Sequence, residues 1–144
     1  MPKKKKKLTP KPIPFTQLRE HVNQQWLPIF SKGGREYATP NGLPGSVKIL
    51  GMDYKVKYHS KIYTTNKEML RGIVMFQHRL IFIEPTQTLQ LMRETLYHEM
   101  AHVYYATWCV GNPLLRKLTG AQVEDLCDMF ADSACDLVSN NQPT

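Results

Sequence analysis

Residues 86–107 read TQTLQLMRETLYHEMAHVYYAT, and the periodicity of this stretch decides the architecture. Leu89, Met92, Leu96, Met100 and Val103 recur at i, i+3, i+7, i+11 and i+14, the apolar stripe of a helix that lies on a core. The same helix puts His98 and His102 on its opposite side, one turn apart, with Cβ atoms about 5–6 Å from each other. Leu91 shares that side, and Thr95 and Ala106 flank it, where a solvent face would carry Lys, Glu and Gln. A helix that is apolar or small on both sides predicts that its histidines look into a cleft.

Working outward toward the C-terminus, Gly111-Asn112-Pro113 interrupts the helix, because proline supplies no backbone N–H and clashes with the preceding turn. Thr119-Gly120-Ala121-Gln122 reads as a capping box, in which the threonine oxygen and the glutamine side chain each satisfy a backbone N–H. A second helix then runs to about Ser139, with Val123, Leu126, Cys127, Phe130, Ala131, Ala134, Leu137 and Val138 as its apolar stripe. It carries five carboxylates. Asp125, Asp132 and Asp136 fall on its back, whereas Glu124 lies at the margin of the stripe and Asp128 one turn further on.

Toward the N-terminus the period changes to two. Tyr54, Val56 and Tyr58 alternate with Lys55, Lys57 and His59, the pattern of a half-exposed strand. Val47 to Leu50 is a shorter strand, joined to it through Gly51-Met52-Asp53. Ile73–Phe76 and Leu80–Ile83 are near-continuous apolar runs that form a hairpin around Gln77-His78-Arg79, although the join lacks an Asn-Gly or Gly-X pair. Residues 31–46, with four glycines and two prolines, read as a loop. Phe15, Leu18, Val22 and Trp26 predict an amphipathic helix over 16–27, ended by Pro28.

The formal net charge of +7 has a local origin. Lys3, Lys4, Lys5, Lys6, Lys7 and Lys11 supply six positive charges, and from Pro12 onward thirteen basic residues face twelve acidic ones. A lysine run without apolar residues repels itself, so 1–14 is expected to be a disordered basic tail, either solubilising or a weak nucleic-acid arm. Residues 15–46 form an N-terminal helix and Gly/Pro loop, and 47–144 the main domain. No apolar h-region follows the lysines, and no stretch approaches the 18 or so apolar residues of a membrane span. Three cysteines, an odd number without CxxC spacing, argue against a disulfide framework and for a cytoplasmic protein.

The chemistry rests on His98, Glu99 and His102. Two imidazoles four apart on a helix converge on one Zn²⁺ at about 2.0–2.1 Å. Glu99 stands beside the metal, where it can take a proton from a zinc-bound water. A third ligand is required, and no histidine follows His102. Of the downstream carboxylates Glu124 is the best placed to reach the ion, and Asp128 to accept the ring N–H of a ligand histidine. Hydrolysis at such a site, which the resemblance described next implies, needs a further donor for the oxyanion, and Tyr97, Tyr104, Tyr105, Tyr58, Tyr63 and His59 are all candidates among which the sequence does not choose.

His98-Glu99-x-x-His102 followed by Glu124-x-x-x-Asp128 resembles the gluzincin pattern of zinc metallopeptidases. Glu124-x-x-Cys127-Asp128-x-Phe130-Ala131 is similar to the third-ligand helix of the ImmA/IrrE family, in which Ala and Asn commonly stand at the positions of Cys127 and Asp128. Short HExxH proteins of phages share the signature. The resemblance covers about 86–140 and implies a minimal zincin-like α+β domain. In it, a small antiparallel sheet packs on the HExxH helix and the third-ligand helix, with 79–84 as the edge strand that pairs with extended substrate. It implies one Zn²⁺, a protein or peptide substrate, no membrane, and the cytoplasm (that of the host, for a phage-encoded member). The competing reading is a nucleic-acid-associated or regulatory binding protein whose zinc is structural. Glu99 favours hydrolysis, because a structural site has no use for a base beside an open coordination position.

Overall fold

Alternation builds the centre of the sheet. In the computed structural model, which describes residues 29–30, 33–64 and 66–140, the strand Met52–His59 buries Tyr54, Val56 and Tyr58 and exposes Asp53 and Lys55. This is β4 in chain order, after β1 (Ile29–Phe30), β2 (Glu36–Tyr37) and β3 (Ser46–Ile49). β3 runs antiparallel to it through the two-residue turn Leu50-Gly51, whose φ values of 49° and 80° are both left-handed. That is the backbone twist a tight hairpin requires, and glycine meets it without strain. β2 continues along the same side of β4, opposite Tyr58 and His59, within the stretch expected to be only loop.

On the other side of β4 lies β7 (Leu80–Ile83), and beyond it β6 (Gly72–Met75). β6 and β7 are the expected hairpin, closed by a 3-10 turn at Phe76–His78 and by Arg79 in the left-handed region. Two expectations are corrected here. The sheet is mixed rather than antiparallel, because β7 pairs parallel to β4. The chain leaves β4, passes through β5 (Ile62–Tyr63, paired with β1), and enters the hairpin by its outer strand, so the return strand runs with β4. For the same reason 79–84 is not an edge: β7 is interior, and among the described residues β6 is the free strand.

Burial explains the unbroken apolar runs of these two strands. Ile81, Ile83 and Val74 join the core under the first helix, while Ile73 and Phe82 join Ile62 on the opposite face. Strands covered on both faces lose the polar half of their alternation.

The first helix, α1, spans Leu89–Gly111. It starts where Thr88 Oγ1 accepts the Leu91 N–H at 3.2 Å, three residues after the expected start, and continues to the Asn112-Pro113 stop. Met92, Leu96 and Val103 pack on Tyr54, Val56, Ile81 and Ile83. The second helix, α2 (Gly120–Asn140), begins at the capping box: Gln122 N–H donates to Thr119 Oγ1 at 3.2 Å, and Thr119 N–H to Gln122 Oε1 at 2.8 Å. α2 lies along α1 through the small buried residues Cys127, Ala131 and Cys135. Its last turn reaches beyond that contact, which leaves Leu137 exposed despite its place on the stripe. The helix expected over 16–27 and the lysine tail lie outside the described residues.

Candidate metal centre

The two helices meet at one cluster. His98 and His102 lie one turn apart on α1, with ring centroids 4.9 Å apart and planes at 69°, and their Nε2 atoms are 3.1 Å from each other. Glu124 comes across from the first turn of α2. Its Oε2 is 2.9 Å from His98 Nε2 and its Oε1 3.1 Å from His102 Nε2. Asp128, one turn along α2, sits with Oδ1 2.7 Å from His98 Nδ1. An imidazole whose Nδ1–H is held by a carboxylate presents a bare Nε2, the tautomer a metal requires.

The donor set fits a tetrahedral divalent ion. Two ligands about 2.0–2.1 Å from zinc at the tetrahedral angle are about 3.4 Å apart, and the three donor groups here are separated by 2.9–3.1 Å, so a small opening of the triangle admits the ion. Among the described residues, His98, His102 and Glu124 are the grouping of His, Cys, Asp and Glu compact enough to hold a metal. Glu124 is itself half-exposed, which leaves one side of the cluster open to solvent.

Glu99 lies on the sheet side of α1, 7% exposed, beside the backbone of Val74 in β6 and near enough for its charge to act on both imidazoles. The strand comes this close because residue 72 is glycine. A Cβ there would stand 2.5 Å from Thr95 Cγ2, 3.1 Å from Phe82 O and 3.3 Å from Glu99 Cγ. Register makes β6 an open edge beside this carboxylate. Glu84 N–H donates to Arg71 O at 2.8 Å, so Arg71, Ile73 and Met75 bond to β7, and Gly72 and Val74 turn their backbone groups outward. Gln87 ties the seam together: its Nε2 donates to Arg71 O and Glu84 O, and its Oε1 accepts from Thr95 Oγ1.

Charges in the cluster shift one another. Burial presses both imidazoles toward neutrality, but the Glu124 carboxylate outweighs it at His98, and Cys127 and Glu124 outweigh it at His102, which ends well above the ordinary histidine value. Hydrogen bonds from His102 and His98 hold Glu124 far below the usual carboxylate range. Burial raises Glu99 above its ordinary value, against the pull of the same two imidazoles. A carboxyl moved toward neutrality is the condition for a general base that works near pH 7.

The tyrosines divide. Tyr105 donates its hydroxyl to Leu115 O at 2.5 Å and fastens the connection between the helices. Tyr104 stacks on Trp108 and packs against Phe130. Tyr97 is half-buried beside His98, while Tyr58 is a core residue bonded to Pro44 O at 2.8 Å. His59 Nδ1 lies 2.8 Å from Ser60 O, and Tyr63 pairs across the small sheet. Asp125, Asp132 and Asp136 are exposed on α2, and Lys3 to Lys7 lie outside the described residues.

Three participants were not singled out from sequence. Gly72 and Val74 belong to a strand whose edge position depends on topology. Cys127, buried on the face of α2 that meets α1 and one of the causes that raise the His102 pKa, follows Glu124 by three residues, but a cysteine on an apolar stripe reads as packing. Comparison with known proteins returned no matching family model, curated protein or solved structure. Among the described residues no helix is long and apolar enough to cross a membrane.

Proposed function

We propose that this chain is a zinc-dependent peptidase of the gluzincin type, similar to the ImmA/IrrE family and to minimal phage metallopeptidases. The observation that carries the reading is the convergence of His98 Nε2, His102 Nε2 and both Glu124 oxygens within 3.1 Å, with the buried Glu99 carboxylate on the adjoining face of α1. His98, His102 and Glu124 would hold the ion, which would supply a Lewis acid and a water acidic enough to ionise near neutral pH. Glu99 would serve as the general base, taking a proton from that water and returning it to the leaving amine. An extended peptide pairs with the outward groups of Gly72 and Val74, so β6 replaces 79–84 as the substrate strand. Asp128 orients His98 without touching the reacting atoms.

Metal analysis of the purified protein, paired with proteolysis of an unfolded generic substrate, tests the reading. Stoichiometric zinc is expected, retained in Glu99→Gln and lost in His98→Ala and Glu124→Ala. Hydrolysis should fall by at least about a hundredfold in Glu99→Gln. Full zinc with hydrolysis unaffected by that substitution would instead support the structural-zinc binding protein.

A further inference from the structure

We infer that β5 walls off one end of the substrate strand, so that the site takes the C-terminal end of an extended chain and removes a short peptide from it. The inference rests on the peptidase reading above and names its substrate class.

The open edge of β6 is short, because Gly72 and Val74 lie between two stops. At one end Leu70, outward by the same alternation, already donates its N–H to Ile62 O of β5 at 2.8 Å, and Met69 bridges Tyr63. β1 pairs with the other side of β5, Phe30 opposite Ile62 and Ile29 opposite Tyr63. Two strands therefore fill the space that a longer partner strand would need. At the other end Phe76 opens the 3-10 turn, and its carbonyl accepts the Arg79 N–H at 3.3 Å.

Glu99 stands near the walled end. Its Cγ is 3.3 Å from the position of a Cβ on Gly72, which Arg71 alone separates from Leu70. At about 3.3 Å per residue, roughly two or three peptide residues fit between the bond beside Glu99 and β5. Antiparallel pairing with β6 is the more stable arrangement, and it turns the C-terminal side of the peptide toward the wall. Charge agrees with that direction. Lys61, at the entry to β5, and Arg71 are exposed, and among the described residues no salt bridge engages either. Two free cations there favour a terminal carboxylate over a terminal ammonium. Cleavage consumes one water: its oxygen joins the carbonyl carbon, the C–N bond breaks, and the amine of the short C-terminal fragment takes the proton.

The zinc-loaded full chain is given unstructured peptides of mixed sequence, longer than the walled side can hold, in three forms: free C-terminus, amidated C-terminus, and cyclised head to tail. Products are read by mass spectrometry. Cuts should fall about two or three residues from the free C-terminus, and the cyclised peptides should resist. Amidation should slow cutting by about two- to fivefold, the scale of an exposed ion pair. Lys61→Asn combined with Arg71→Gln should erase the difference between acid and amide; asparagine tolerates the left-handed backbone of Lys61, at φ 56°. Cuts spread evenly over interior bonds, cuts confined to the N-terminal end, or cyclised peptides cut as fast as linear ones overturn the inference. Such cuts, if abolished in Glu99→Gln, leave the peptidase reading standing. Fluorescence anisotropy of labelled peptides on the Glu99→Gln chain separates the opposite case. Preferred binding of the free C-terminus, with no cutting by the parent chain, would sink the peptidase reading alone, and peptides neither bound nor cut would overturn both.

Discussion

At the residue scale, protons and metal compete for the same atoms. In the metal-free protein both imidazoles titrate above 6.5, their ordinary value. A group whose folded pKa is raised stabilises the fold fully below its unfolded pKa, and that contribution is lost as pH rises through the folded value. Glu99, also raised, contributes with the same sign. Glu124 is depressed, so its contribution is complete above its ordinary value of 4.5 and constant over the neutral range. The metal-free chain should therefore lose thermal stability as pH rises past 6.5, the ordinary histidine value, and on through the raised values of the two imidazoles. Zinc affinity should rise over the same interval, because binding must expel the protons. Calorimetric Tm values with and without a chelator check both; a metal-free Tm that climbs with pH contradicts the assignment. The cluster was legible because a helix turns sequence distance into direction: His98, His102, Glu124 and Asp128 are each placed by period alone, and the structure brings them together. The tyrosine hydroxyls were not, since a backbone carbonyl such as Leu115 O satisfies Tyr105 as well as any substrate would.

At the element scale, the decisive contact is the seam between β6 and α1. Composition located both strands of the hairpin, but which of them is the edge depends on where the chain enters it, and no local pattern encodes that. The unbroken apolar runs did not separate them, because both strands carry residues buried on each face while only Leu80–Ile83 is interior. Gly72 sets the separation of the seam. In Gly72→Ala the new methyl would meet the stiff β-branched Thr95 and a backbone carbonyl, so β6 must move away from Glu99. Overpacking of this kind costs about 1–3 kcal/mol. Hydrolysis should fall more than stability, since the strand packed against Glu99 is displaced. Thr95→Ser removes Cγ2 and keeps the hydroxyl that bonds Gln87. The double variant should therefore recover part of both losses, a coupling that urea denaturation of the four chains measures. Strict additivity would show that the methyl finds room without touching Thr95.

At the scale of the whole molecule, the chain is a sheet carrying α1, to which α2 is attached secondarily. α1 is anchored by a broad apolar cluster shared with four strands. α2 is held mainly by α1, through Cys127, Ala131 and Cys135, while Met129 and Leu137 stay exposed. Small side chains bring the two helices close but remove little apolar surface from water, so this interface is intrinsically weaker than the core beneath α1. A metal held by the cluster would act as a clasp, because His98 and His102 come from one helix and Glu124 from the other. A metal at a hundred times its Kd adds about 2.7 kcal/mol to the state that binds it, and unfastening α2 alone destroys the site. Removing the metal should therefore speed amide exchange across Gly120–Asn140 selectively, leaving β4 and β7 protected at their original level. Uniform loss of protection over sheet and helices would mean that the chain opens as a single unit. In that case the closeness of His98, His102 and Glu124 would reflect the packing of the fold rather than a hinge that the ion locks.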